Sequence, residues 1–113
     1  MEFKIVEYSY PNILDKNKKD KTKFKNETSD SNIIYFFYQN DECKYIGESS
    51  KSLYERCFIN TPKHQSRDFF KVCNKIYIIV LDKKIGGFER KAIEGMFILA
   101  FKYAGHPLEN KEP

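Results

Sequence analysis

This sequence predicts a small α+β domain: a three-stranded antiparallel sheet flanked by helices, with a further short strand near the N-terminus as an edge. Three observations predict it. Residues 33–38 (Ile33, Ile34, Tyr35, Phe36, Phe37, Tyr38) and residues 76–81 are runs of β-branched and aromatic side chains, the composition of strands covered on both faces. Residues 43–47 follow the first run after a polar turn and read as the returning arm of a hairpin. Residues 88–104 place Ile93, Met96, Phe97, Ala100 and Ala104 at helical spacing, which makes one apolar stripe along a long helix.

Taken in order, Phe3 and Ile5 alternate with polar residues, so residues 3–10 read as a short strand that Pro11 ends. Residues 12–31 hold six lysines and four acids and almost nothing to bury. They read as a Lys-rich loop less ordered than residues 32–104. Residues 1–31 are therefore an N-terminal extension, and residues 32–113 are the folded domain. Residues 39–42 form the hairpin turn. An odd number of loop residues puts Tyr35 and Tyr45 on one face, and a loop of residues 39–41 sets them directly opposite. Ser52 and Glu55 stand at capping-box spacing, opening a short helix over 53–59 in which Arg56 and Asn60 share a face. Thr61 and Pro62 end it. A second short helix is expected over 66–74 and a central strand over 75–82. After the turn at 83–87 comes the long helix, stopped by Gly105.

Composition bounds the function. The 113 residues suffice for one modest core. Lys and Arg number 20 against 16 Asp and Glu, a net charge of +4. This excess is compatible with a polyanionic partner and equally with an ordinary solvated surface. Cys43, Cys57 and Cys73 are odd in number, widely spaced and form no CxxC pair. Neither a disulfide framework nor a zinc site is expected, and a reducing, cytoplasmic setting fits. The first residues do not open a signal peptide. The longest apolar runs are too short to cross a bilayer, so no membrane partner is expected.

Several residues carry possible chemistry. Glu94 falls at helical spacing with Phe97, Ile98 and Phe101. An unpaired buried carboxylate is costly, so Glu94 either pairs with Arg90 one turn earlier or is compensated by a cation. Arg56 offers a planar fork suited to phosphate, or it is a surface arginine. Tyr35 and Tyr45 are strand-packing residues, or phenols whose environment lets them accept a proton. Gly47 ends a strand, or it lets a substrate approach the backbone. Asn110 orients a partner, or it belongs to an ordinary tail.

The order of these residues resembles the GIY-YIG nuclease family, from Asn32 to Asn110. The first motif is matched by Ile33, Ile34 and Tyr35, and the second by Tyr45, Ile46 and Gly47. The family arginine is matched by Arg56, nine residues past Gly47, the helix glutamate by Glu94, and the asparagine by Asn110, sixteen residues further on. The resemblance implies a metal-dependent endonuclease that hydrolyses DNA phosphodiester bonds. It implies one Mg²⁺ or Mn²⁺ ion on Glu94, water activation by Tyr35 and Tyr45, and phosphate stabilisation by Arg56. It further implies substrate-binding positions at Gly47, Ser49, Asn60 and Asn110, and DNA as partner. A second protein or a homodimer would supply specificity. Three positions depart from the family pattern: Ile33 replaces a glycine, Asn60 replaces a histidine or tyrosine, and Glu55 precedes the arginine. These departures predict slower cleavage. The alternative is a nucleic-acid-binding or assembly module on the same fold with weakened or lost catalysis. A third reading, outside the family, is a small RNA-binding domain with tyrosines and phenylalanines as stacking platforms.

Overall fold

The computed structural model describes residues 4–9, 32–50 and 72–110. Among these residues the elements are β1 (Lys4–Ser9), β2 (Ile33–Gln39), β3 (Glu42–Ser49), β4 (Lys75–Val80) and α1 (Gly87–Tyr103). The strands form one sheet in the order β1-β4-β2-β3, each neighbouring pair antiparallel. The expected three-stranded sheet is present as β4-β2-β3, and the N-terminal strand joins it along β4. The loop expected over 12–31, the helix over 53–59, most of the helix over 66–74, and both Arg56 and Asn60 lie outside the described residues. Among the described residues no helix is long and apolar enough to cross a membrane.

β2 is central and covered on both faces, as its unbroken apolar run requires. Ile34 and Phe36 look toward α1. They form one core with Cys43, Ile46 and Ile98, and Phe97 and Phe101 pack against it. Phe36 meets Phe97 edge-on at 5.3 Å and stacks on Phe101 at 5.5 Å. Side chains alternate along a strand, so Ile33, Tyr35 and Phe37 face the other way. They lie there beside Ile76 and Ile78 of β4, and all five are buried.

The hairpin register combines two departures from a plain ladder. The turn is the two residues Asn40 and Asp41, flanked by the pair Gln39 and Glu42. Asn40 has φ 54°, a left-handed conformation that asparagine tolerates well. Asn74 braces this turn: its Oδ1 accepts from the Asn40 N–H at 3.0 Å and its Nδ2 donates to Asn40 Oδ1 at 3.1 Å. An even turn alone would put Tyr45 and Tyr35 on opposite faces. A bulge at Lys44 adds one residue to β3, and the ladder resumes with Phe37 opposite Tyr45 and Tyr35 opposite Gly47. Tyr35 and Tyr45 thus share a face, displaced diagonally rather than directly opposed.

α1 ends as its sequence dictates. Gly105 takes φ 94°. The Gly105 N–H donates to Lys102 O and the His106 N–H to Phe101 O, both at 3.0 Å. These two bonds are the Schellman pattern. The turn stacks His106 on Phe101 at 4.9 Å and sends residues 106–110 back along β3.

Candidate active site

The first and second tyrosine motifs are joined by a single close contact. A Cβ on Gly47 would stand 2.2 Å from Tyr35 Cζ, so the phenol ring occupies the space a side chain would fill. Tyr45, on the same face, has its ring centroid 6.3 Å from that of Tyr35. Tyr35 is only 1% exposed, whereas Tyr45 is half-buried. Gly47, expected to leave room for a substrate, leaves it for Tyr35 instead. The glycine is needed because a large ring crosses the strand there. Ser49 is also buried, paired in register with Ile33.

The contact sets a measurable expectation. Gly47→Ala should destabilise the fold by about 2 kcal/mol, because a buried ring must leave its place. In a Tyr35→Val background the same change should be neutral or slightly stabilising, since alanine suits a strand better than glycine by about 0.5–1 kcal/mol. Urea unfolding of the four proteins measures both effects, and equal effects in the two backgrounds would rule out the contact as the cause.

The outer side of β3 is held by the chain that follows α1. The Cys43 N–H donates to His106 Nδ1 at 3.0 Å. The Glu109 N–H donates to Lys44 O at 2.7 Å. Asn110 Oδ1 accepts from the Ile46 N–H at 2.9 Å and its Nδ2 donates to Ile46 O at 2.8 Å. Asn110 therefore acts as a short strand partner to the residue between Tyr45 and Gly47. Its amide is taken up by the backbone, so it fixes β3 rather than offering itself to a substrate. The strap also satisfies backbone groups that an edge strand would otherwise leave open.

Glu94 is placed otherwise than expected. It is half-buried on α1 and stands one turn before the buried Ile98. α1 covers the face of Ile34 and Phe36, while Tyr35 and Tyr45 lie on the opposite face. The single open concavity on one sheet face, expected to gather Tyr35, Tyr45, Arg56 and Glu94, is not formed by the three of these that are described. The reason is the two-residue period of β2: a helix packed on Phe36 lies behind Tyr35.

Arg90 reaches across the fold rather than along its own helix. Its Nε donates to Glu48 Oε2 in an ion pair, and its Nη1 donates to Asn32 Oδ1 at 2.8 Å. Asn32 Nδ2 in turn donates to Ile85 O at 2.7 Å and to Asp82 O at 3.1 Å. This network ties the start of β2, the end of β3, the loop before α1 and the first turn of α1 together. Helical spacing pointed Arg90 at Glu94, because local spacing cannot see a partner 42 residues away. The available signal was the position of Asn32, directly ahead of the first apolar run.

The two described cysteines are free and buried. Burial pushes the Cys43 and Cys73 thiols up to about 12, so neither supplies a thiolate for catalysis or metal binding at neutral pH. Burial also raises the Tyr38 phenol to about 12. Tyr38 is on the α1 face, away from Tyr35 and Tyr45. No family model, curated protein or solved structure matches this chain.

Proposed function

We propose that this protein is a divalent-metal-dependent endonuclease that hydrolyses DNA phosphodiester bonds in the manner of GIY-YIG nucleases. The observation that carries the reading is the seating of Tyr35 on Gly47 with Tyr45 alongside. It gives a physical reason for the two tyrosine motifs to occur together. Their fixed geometry is anchored from the edge by Asn110.

Burial divides the work between the two tyrosines, and the resemblance supplies the roles of Arg56 and Glu94. Tyr45 is the more accessible phenol and accepts the proton of the attacking water or orients it. Tyr35, almost fully buried, holds Gly47 and the Tyr45 backbone in place. Arg56 stabilises charge on the phosphate. Glu94 offers hard anionic oxygen donors that suit Mg²⁺ or Mn²⁺; because it stands on the helix behind the tyrosines, the nuclease reading requires an ion held there to meet the phosphate without sharing a cavity with Tyr45. Such an ion would supply Lewis acidity and a water of lowered pKa.

A second reading is favoured by the burial of Tyr35 and by Glu94 lying on the helix behind it. On that reading the chain is a nucleic-acid-binding or assembly module that keeps the fold and has lost catalysis. Incubation with plasmid and with branched DNA decides between them. The nuclease reading expects nicking or cutting in Mg²⁺ that EDTA abolishes. Binding without any cleavage in Mg²⁺ or Mn²⁺ would establish the module instead.

A further inference from the structure

α1 is apolar on two opposite sides, and among the described residues only one of them is covered. Ile93, Phe97, Ile98 and Phe101 face the sheet. Phe88, Ala92, Met96, Leu99 and Tyr103 follow one another at intervals of four, four, three and four residues. At 3.6 residues per turn these intervals make a single straight stripe on the outer side. Phe88 is 89% exposed, Met96 70%, Leu99 57% and Tyr103 96%. A soluble helix normally turns charge to water on this side, and apolar patches of this kind mark association surfaces.

We infer that this stripe is a self-association seam on which α1 of a second copy of this chain docks. Two features specify the occupant. The first is area. Two exposed aromatics with a methionine and a leucine put on the order of 500 Å² of side chain on each copy, and the two copies together reach the roughly 1,000 Å² a specific interface needs. The second is charge. Glu89 flanks one border of the stripe and Lys91 the other. A two-fold axis parallel to the helices sets the Glu89 border of one copy against the Lys91 border of the second. An antiparallel pairing sets like borders together. The parallel arrangement brings Leu99 against Leu99 of the second copy, with a sheet on the outside of each helix. The seam is independent of the nuclease reading, because α1 meets its copy on the side away from β2 and β3.

Light scattering on the full chain without DNA, across a concentration series, tests the seam. Twice the chain mass is expected at the upper concentrations. Leu99→Glu and Tyr103→Glu each place a charge in the seam at an exposed position, so circular dichroism should stay unchanged. The dissociation constant should rise roughly thirtyfold or more. Lys91→Glu should weaken the dimer, and Lys91→Glu combined with Glu89→Lys should restore it. A chain monomeric throughout the series, or a dimer that both seam substitutions leave intact, would overturn the proposal. So would a monomer that binds vesicles of mixed neutral and anionic phospholipid, since the stripe would then belong to a lipid surface. Failure of the charge swap to restore association would overturn the parallel arrangement.

Discussion

Glu94→Gln is expected to lower Mg²⁺-dependent cleavage by orders of magnitude while leaving the fold at least as stable in EDTA as the wild type. Glutamine keeps the size and hydrogen bonding of the side chain and removes its charge. If Glu94 anchors a cation, the substitution removes that anchor and the Lewis acidity it holds near the phosphate. In EDTA glutamine keeps the side chain's shape and hydrogen-bonding atoms, and a neutral amide is cheaper to half-bury than a carboxylate. The obvious structural competitor was an ion pair with Arg90. That guanidinium is held by Glu48 and Asn32, so the competitor predicts little. Thermal melting in EDTA and cleavage rate in Mg²⁺, measured on both proteins, separate the cases. A less stable variant that cuts as fast as wild type would remove Glu94 from the mechanism.

Arg90→Leu is expected to destabilise the fold by about 3–5 kcal/mol, more than Gly47→Ala, because it takes a guanidinium away from a largely buried carboxylate. The side chains of Arg90 and Glu48 are 11% and 15% exposed. Removing the guanidinium takes from Glu48 a charge that offsets its burial. It also leaves Asn32 Oδ1 without this donor, which loosens the hold of Asn32 on the loop before α1. Arg90→Leu combined with Glu48→Leu should recover much of the loss, because apolar replacement of both partners removes the buried charges together. A double-mutant cycle by urea unfolding measures the coupling. Additive effects of the two substitutions would mean that the pair is not a buried unit.

The elements themselves were legible. Residues 33–38 and 76–81 are rich in β-branched and aromatic side chains, and that composition yields strands wherever they end up. The long helix was readable from its apolar periodicity and from Gly105, because a positive φ after the last turn favours a residue without a Cβ, but the expected stripe was rotated: Met96, Ala100 and Ala104 are exposed, and Ile98 and Phe101 face the sheet with Ile93 and Phe97. Its bounds shifted by one residue, from the expected 88–104 to Gly87–Tyr103, since the last turn closes through bonds made by residues 105 and 106. The tyrosine face was legible only as a condition on the turn. Asn40 and Asp41 make an even turn, and the bulge at Lys44 restores the parity. No local pattern around Lys44 announced that bulge.

Local chemistry determined, from sequence alone, which of the described segments are strand or helix, where α1 stops, and which residues are candidates for chemistry. Those properties depend on side chains within a few positions of each other. The tertiary structure alone decided that β1 pairs with β4, that Tyr35 lies on Gly47, and that Asn110 clamps Ile46. It also decided that Arg90 serves Glu48 and that Glu94 rides on the helix behind the tyrosines. Each of these joins residues far apart in the chain, or depends on which face of a strand a helix covers. Such choices are made by the packing of the whole core, where large side chains such as Tyr35, Phe36 and Phe97 must all find room at once.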